Sequence, residues 1–365
     1  LGFLLILYLK KMKKIINIVK KKKSIPIDKF IDISLYDKKF GYYMKKNPFG
    51  NKGDFITSPL ISNLFGEMIA IWCISFWEHL NKPKKISIVE LGPGDGSLCQ
   101  SLLNAFKNFE DFYKCFEIKL FEKSMYLKKI QKKRIRNQKV KWIKKIDKTI
   151  NEPTIFLGNE FFDALPIKQL FLKRKLFFER HVALTKNKKK LEFIYKKAKK
   201  KLIRDITKLN LSSGDKVIEY PMEAIRYLEI ISKCIKKNNG CLLTFDYGYT
   251  EKKNQDTLQS VKQHKYFDIL SEPGSADITS HVNYNLFSKV LNKNKLKVEK
   301  IVSQNEFLQK MGIIERANIL SRNISFKAKA DMYFRLKKIL HYEDMGNLFK
   351  VLLAKKRGTN FSLGF

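Results

Sequence analysis

The chain has 365 residues, of which 44% are hydrophobic and 13% aromatic, enough to bury a sizeable core in one large domain with insertions or in two domains. Its formal net charge is +39, from 74 Lys plus Arg against 35 Asp plus Glu. The cations are mostly Lys scattered along the chain, which favours a solvated basic surface and no sequence-specific nucleic-acid partner. The five cysteines (Cys73, Cys99, Cys115, Cys234, Cys241) form no Cys-x-x-Cys pair, so no zinc spacing is present, no metal is expected and a reducing compartment fits.

Leu1 to Leu9 is apolar but too short for a membrane span, and lysines follow it. Residues 1–23 read as a basic and apolar tail with Met12 as a candidate start, and stable membrane insertion is not expected. Residues 24–80 read as a helical cap. Ile27, Phe30, Ile31 and Ile33 open one apolar segment. Leu64, Phe65, Met68, Ile69, Ile71, Trp72, Phe76 and Trp77 form a second stripe at helical spacing. Between them Gly53-Asp-Phe-Ile-Thr57-Ser58-Pro59 has turn chemistry, and Ser58 or Ser62 is placed to cap the next helix.

Ile86-Ser-Ile-Val-Glu90-Leu is a short apolar run of the buried-strand kind, followed by Gly92-Pro-Gly94-Asp-Gly96 and an apolar helical segment, Leu98 to Phe106. A strand, a glycine turn and a helix start offer close backbone approach and free N–H groups to a nucleotide-like cofactor. The sixth position from Gly92 is Ser97, which breaks the dinucleotide fingerprint. Glu90-x-Gly92-x-Gly94-x-Gly96 instead resembles the first motif of S-adenosylmethionine-dependent methyltransferases.

Phe116 to Phe121 reads as a second strand ending at Glu122, a carboxylate placed to accept two ribose hydroxyls. Val140 to Ile143 is a third, with Trp142 or Asp147 beside an adenine. Thr154 to Leu157 is a fourth, and Asn159, Glu160 and Asp163 follow at its carboxyl end, where ligands of open α/β sheets bind. Gln169-Leu-Phe-Leu172, Leu176-Phe-Phe178, His181 to Leu184 and Leu191 to Tyr195 alternate as antiparallel strands do. Gly240 to Phe245 reads as a fifth strand. The polar stretch Gln259 to His281 has no periodicity, and Asp268, Asp277, Thr279 and His281 are candidates for a pocket wall. Leu296 to Val302 and Leu348 to Leu353 supply two late strands.

Gly53-Asp-Phe-Ile-Thr-Ser-Pro59, Phe65-Gly-Glu67, Val89-Glu-Leu-Gly-Pro-Gly94, Asn159-Glu-Phe-Phe-Asp-Ala-Leu-Pro166, Asp246-Tyr-Gly248 and Pro273-Gly-Ser-Ala-Asp277-Ile-Thr279 occur in that order. Together they resemble the mitochondrial complex I assembly-factor family of protein arginine methyltransferases and its bacterial relatives. Leu60 and Asn283 stand where that family usually has acidic residues. The resemblance implies a class I methyltransferase fold, a Rossmann-like, seven-stranded, mostly parallel sheet. The core is expected over residues 81–166 and 240–354, with a β insertion at 167–239 as a possible substrate platform and a C-terminal tail at 355–365.

The implied activity is S-adenosyl-L-methionine-dependent methylation of a protein arginine, on the 49-kDa-type subunit of NADH–quinone oxidoreductase. The compartment is a bacterial cytoplasm or, alternatively, the mitochondrial matrix. Glu160, Asp163 and Glu67, in that order, are the candidates for handling the guanidinium. Glu90, Gly92, Gly94, Gly96, Glu122, Trp142, Asn159, Thr57 and Ser58 are the candidates for holding the donor. Two other readings remain open from sequence: a non-catalytic assembly chaperone, and methylation of another side chain or a small molecule.

Overall fold

The computed structural model describes residues 14–45, 48, 58–146, 150–187, 190–211, 217–251 and 256–365. Its main sheet follows the order Leu296–Val298, Phe349–Lys356, Gly240–Tyr249, Thr154–Asn159, Ile86–Leu91, Phe116–Phe121, Val140–Ile143, with Val282–Asn283 and Val302–Ser303 added beside it. Against the expected seven strands the sheet thus has nine among the described residues. The five from Gly240–Tyr249 to Val140–Ile143 run parallel. Phe349–Lys356 runs antiparallel to both its neighbours on the path, Gly240–Tyr249 and Leu296–Val298. The late strand expected over Leu296 to Val302 is broken into two pieces.

Ile86–Leu91 is central and every residue in it is buried, as a strand covered on both faces requires. Helices Asn63–His79 and Ser97–Phe106 bury their apolar sides on one face of the sheet. Helices Met222–Asn238 and Tyr284–Lys293 do so on the other. Ser62 is the N-cap of Asn63–His79, its side chain accepting from Leu64 N at 3.2 Å. Asn283 caps Tyr284–Lys293 by accepting from Leu286 N at 2.9 Å.

A second, antiparallel sheet is built from Lys168–Lys173, Leu176–Leu184, Leu191–Lys197 and Val217–Tyr220, and Ser24–Pro26 pairs with Leu176–Leu184. Three expected boundaries therefore move. The insertion's sheet closes at Tyr220, because Met222–Asn238 packs against the main sheet. The cap begins with a strand that belongs to the insertion. The expected N-terminal tail is packed where it is described: residues 14–22 are helical, and Ile15 and Val19, spaced i to i+4 among lysines, are buried with Phe30, Ile167 and Val182.

The expected C-terminal tail is also ordered into the core. Phe361 is buried, it packs edge-on to Trp72, and Trp72 Nε1 donates to Leu363 O at 3.0 Å. Gln259 to His281 contains a small sheet of Gln259–Lys262, Lys265–Tyr266 and Asp277–Thr279. No described helix is long and apolar enough to cross a membrane.

Candidate active site

The chain leaves Ile86–Leu91 through three glycines with positive φ: Gly92 at +62°, Gly94 at +55° and Gly96 at +84°. Other L residues rarely adopt this region. A Cβ on Gly92 would also stand 2.9 Å from the Phe161 ring. The turn is tied to the next strand by Gly92 N donating to Phe121 O at 3.0 Å. Asp95 Oδ1 accepts from Ser97 N at 3.0 Å and its Oδ2 meets Arg134 Nη1 at 2.9 Å, which fixes the start of helix Ser97–Phe106.

Glu90 and Glu122 flank this turn and both are buried. Glu90 Oε2 has no partner among the described residues. Burial, with Asp95 and Glu122 nearby, pushes the Glu90 carboxyl up to about 8. Glu122 accepts from Ser124 N at 2.6 Å and from Gln131 Nε2 at 3.1 Å. Burial still raises its carboxyl above the ordinary value, against these bonds. Glu90, Gly92, Gly94, Asn159 and Glu160 line one narrow crevice of about 40 Å³.

That crevice adjoins a cavity of about 420 Å³. Gly92, Gly94, Phe121, Glu122 and Leu127 line it together with Tyr36, Tyr43, Tyr247, Asp163, Asp277, Thr279, Glu160 and Phe161. Glu160 follows the Thr154–Asn159 strand with φ of +51°, a conformation uncommon for glutamate. Its N donates to Phe245 O at 2.9 Å, and Asn159 Nδ2 donates to its Oε1 at 3.3 Å. Burial first, then Asp163, pushes the Glu160 carboxyl up to about 8, while Asn159 and the backbone of Ser58 pull the other way.

Asp163 is buried and pushed up to about 6 by desolvation, with Tyr247 hydrogen bonding opposing the shift. Asp246 lies behind it, fully buried and raised well above the carboxylate range by burial and by Asp163. Asp246 Oδ2 accepts from Phe162 N at 3.0 Å and Asp163 N at 3.3 Å, so it shapes the loop that carries Glu160 and Asp163. Tyr43 OH donates to Asp277 Oδ1 at 2.7 Å and Tyr36 OH donates to Ala164 O at 2.9 Å. The result is a pocket walled by tyrosine rings and lined with carboxylates.

Four sequence candidates among the described residues are placed differently. Glu67 is not among the cavity's lining residues: it pairs with Arg316 at 2.7 Å and lines a groove of about 750 Å³ between helices Asn63–His79 and Ser97–Phe106, which shares Pro59 and Ser97 with the crevice. Trp142 is not among the cavity's lining residues; its Nε1 donates to Gln131 Oε1 at 2.9 Å, and its ring packs on the core. Ser58 is buried, with Oγ donating to Gln304 at 3.3 Å, and reaches the site through its backbone bond to Glu160. Thr57 and Asp147 lie outside the described residues. His281 stacks edge-on against Tyr247 and is not a lining residue.

Sequence reasoning missed Tyr36, Tyr43, Gln131 and the shaping role of Asp246. Tyr43 closes the Gly41-Tyr-Tyr43 run, a composition signal with no indication of what it faces. Gln131 gave no signal, since one amide on a lysine-rich helix looks like surface.

The residues fit S-adenosyl-L-methionine on the structure's own terms: a turn with no space for a Cβ, a buried carboxylate with bonding capacity beside it, and an orphaned acid facing the crevice. A family described as putative S-adenosyl-L-methionine-dependent methyltransferase matches residues 68–302. The mitochondrial protein arginine methyltransferase NDUFAF7 of Xenopus laevis is 30% identical over 336 residues, covering 85% of this chain and 76% of its own. The Caenorhabditis elegans NDUFAF7 homolog is 33% identical over 341 residues, covering 85% and 77%. A likely methyl transferase from Burkholderia thailandensis, solved with S-adenosyl-homocysteine, superposes with a TM-score of 0.84 at 21% identity, covering 99% of this chain and 95% of that one. That likeness establishes an α/β methyltransferase fold. The chain belongs to the S-adenosyl-L-methionine-dependent methyltransferase family that includes the NDUFAF7 protein arginine methyltransferases.

Proposed function

We propose that this methyltransferase transfers its methyl group to an arginine side chain of a protein, with Glu160 and Asp163 as the catalytic pair. The observation that carries the reading is the shared cavity: Gly92, Gly94 and Glu122 line it together with Tyr36, Tyr43, Tyr247, Asp163 and Asp277, and Glu160 lines both it and the adjoining crevice. Gly92, Gly94 and Gly96, with Glu90 and Asn159, would hold the methionine part of the donor, and Glu122 its ribose. Bound S-adenosyl-L-methionine supplies an activated sulfonium methyl, so the protein's share of the work is alignment and proton handling.

A guanidinium stays protonated in proteins and presents five N–H donors in a planar fork. Asp163, with the lower of the two raised values, is the carboxylate ionised first and so the first anchor for that fork. Tyrosine rings add cation–π walls. Glu160, drawn up to about 8 in the ligand-free protein, is released to its ionised form by a guanidinium bound beside it, and is then suited to take the proton that the attacking nitrogen sheds. The carboxylates also argue for arginine over lysine. They would stabilise a lysine as ammonium, which has no lone pair to attack with, whereas a guanidinium can be polarised toward one nitrogen while still paired.

The 49-kDa-type subunit of NADH–quinone oxidoreductase is the target we assign from the family resemblance. The compartment is then wherever that subunit is assembled, a bacterial cytoplasm or the mitochondrial matrix; the NDUFAF7 relatives are mitochondrial by name. The test is to incubate that subunit with the protein and methyl-labelled donor, hydrolyse it to amino acids and locate the label. Label on methylarginine is expected. Label on methyl-lysine or on a methyl ester, or none with donor bound, would overturn the reading.

A further inference from the structure

We propose that Gln131 is a positioning residue for donor binding, locking the Glu122 carboxylate to the glycine turn. Gln131 lies on helix Met125–Arg134 and is fully buried. Its Nε2 donates to Gly94 O at 2.7 Å and to Glu122 Oε2 at 3.1 Å. Its Oε1 accepts from Trp142 Nε1 at 2.9 Å. An indole N–H only donates, so Trp142 fixes which end of the amide faces it. The amino end is left facing two acceptors, Gly94 and Glu122.

Gly94 and Glu122 follow two different strands, and both line the cavity. Gln131 is the cross-tie between them, and Trp142, on a third strand, orients the tie. Ser124 N on Oε1 and Gln131 on Oε2, with the backbone N–H of Lys123 also favouring the carboxylate, hold Glu122 in one orientation and leave acceptor capacity for a ribose hydroxyl. Replacing Gln131 with a side chain of similar volume and no amide frees Glu122 to rotate and removes a bond that favours its ionised form. This inference rests on Glu122 as the acceptor for the donor's ribose hydroxyls.

The experiment is calorimetric titration of S-adenosyl-homocysteine into the intact protein, as parent, Gln131→Met, Glu122→Gln and the double variant. Gln131→Met is expected to weaken binding about tenfold, the scale of one lost hydrogen bond to a charged group. The double variant should bind no more weakly than Glu122→Gln alone, because Gln131 acts through that carboxylate. Turnover at saturating donor should stay within about twofold of the parent, so that the loss appears in KM rather than kcat. Affinity in Gln131→Met should also recover as pH rises and Glu122 ionises.

Full additivity of the two substitutions, or parental affinity in Gln131→Met, would overturn the proposal. Parental affinity in Glu122→Gln would overturn the ribose reading and the proposal together. Should Gln131→Met fail to fold, Trp142→Phe decides: it keeps a ring and removes only the orienting donor, and is expected to weaken binding in the same direction to a smaller degree. Unchanged affinity there would reject the cross-tie.

Discussion

At the residue scale the site depends on backbone conformations that few side chains tolerate. Gly94, at φ of +55°, lines both the crevice and the cavity. A β-branched residue is strained there and would place methyl groups against the donor. Gly94→Val should therefore weaken S-adenosyl-L-methionine binding by well over tenfold while circular dichroism stays that of the parent. Unchanged affinity in the folded variant would contradict the donor site. That the glycine turn and Glu122 border one cavity was legible in sequence because the signals are local: a strand, a spacing, an acid at a strand end. The placement of Glu160 and Asp163 beside them was legible because they follow the fourth strand directly. The groove that Glu67 lines was not, since a motif says nothing of which neighbour a helix residue meets, and the structure pairs it with Arg316. Trp142 was placed on the correct strand, but periodicity cannot tell a stacking ring from one that braces an amide.

At the element scale the cavity wall proposed to bind the acceptor is assembled from pieces far apart in sequence. Tyr36 ends helix Ile27–Tyr36, Tyr43 lies in the short turn Tyr42–Met44, and Asp277 opens the strand Asp277–Thr279. Ser124 Oγ donates to Tyr43 O at 2.7 Å, so the N-terminal segment is also tied to the residue that caps helix Met125–Arg134. This arrangement separates two kinds of loss. Tyr43→Phe keeps the ring and the backbone bond and removes only the hydroxyl on Asp277. The acceptor KM should rise about three- to tenfold, the scale of one charge-assisted hydrogen bond, with donor affinity unchanged. A matching loss of donor affinity would show that the two sides are not separable in this way. Sequence offered Asp277 for a pocket wall but not its tyrosine partner, and the reason is physical: strands and helices are read from local periodicity, whereas Tyr43 and Asp277 are 234 positions apart and meet only through the tertiary fold.

At the scale of the whole molecule, the site concentrates carboxylates that the fold holds protonated. Burial raises Glu90 and Glu160 to about 8, and Asp246 well above its ordinary value. Between the unfolded value of about 4.3 and the folded one, the native state keeps a proton that the unfolded chain releases. For these groups stability is therefore lost as pH rises through that interval. Asp37, Glu152, Glu179 and Glu299 are lowered by lysine partners or other hydrogen-bond donors and act in the opposite sense, losing stability only as pH falls through the acid range. The ligand-free protein should therefore melt at higher temperature near pH 5 than near pH 8; a melting temperature that climbs steadily from about pH 5 to 8 would contradict the burial of these acids. The main sheet's layers were legible from apolar runs without reference to the basic surface that dominates the composition. The packed ends of the chain were not, because a lysine-rich helix carrying Ile15 and Val19 looks solvated until its partner surface is known.

The most direct measurement is single-turnover methyl transfer to the arginine substrate by Glu160→Gln beside the parent, with donor affinity measured on the same preparations. Glutamine keeps the size and one acceptor oxygen but cannot carry charge or take the proton. Donor affinity is expected to stay near parental while transfer falls about 10²–10⁴-fold, the usual contribution of a general base. Transfer at the parental rate by a folded, donor-binding Glu160→Gln protein would contradict the account and move the base to Asp163.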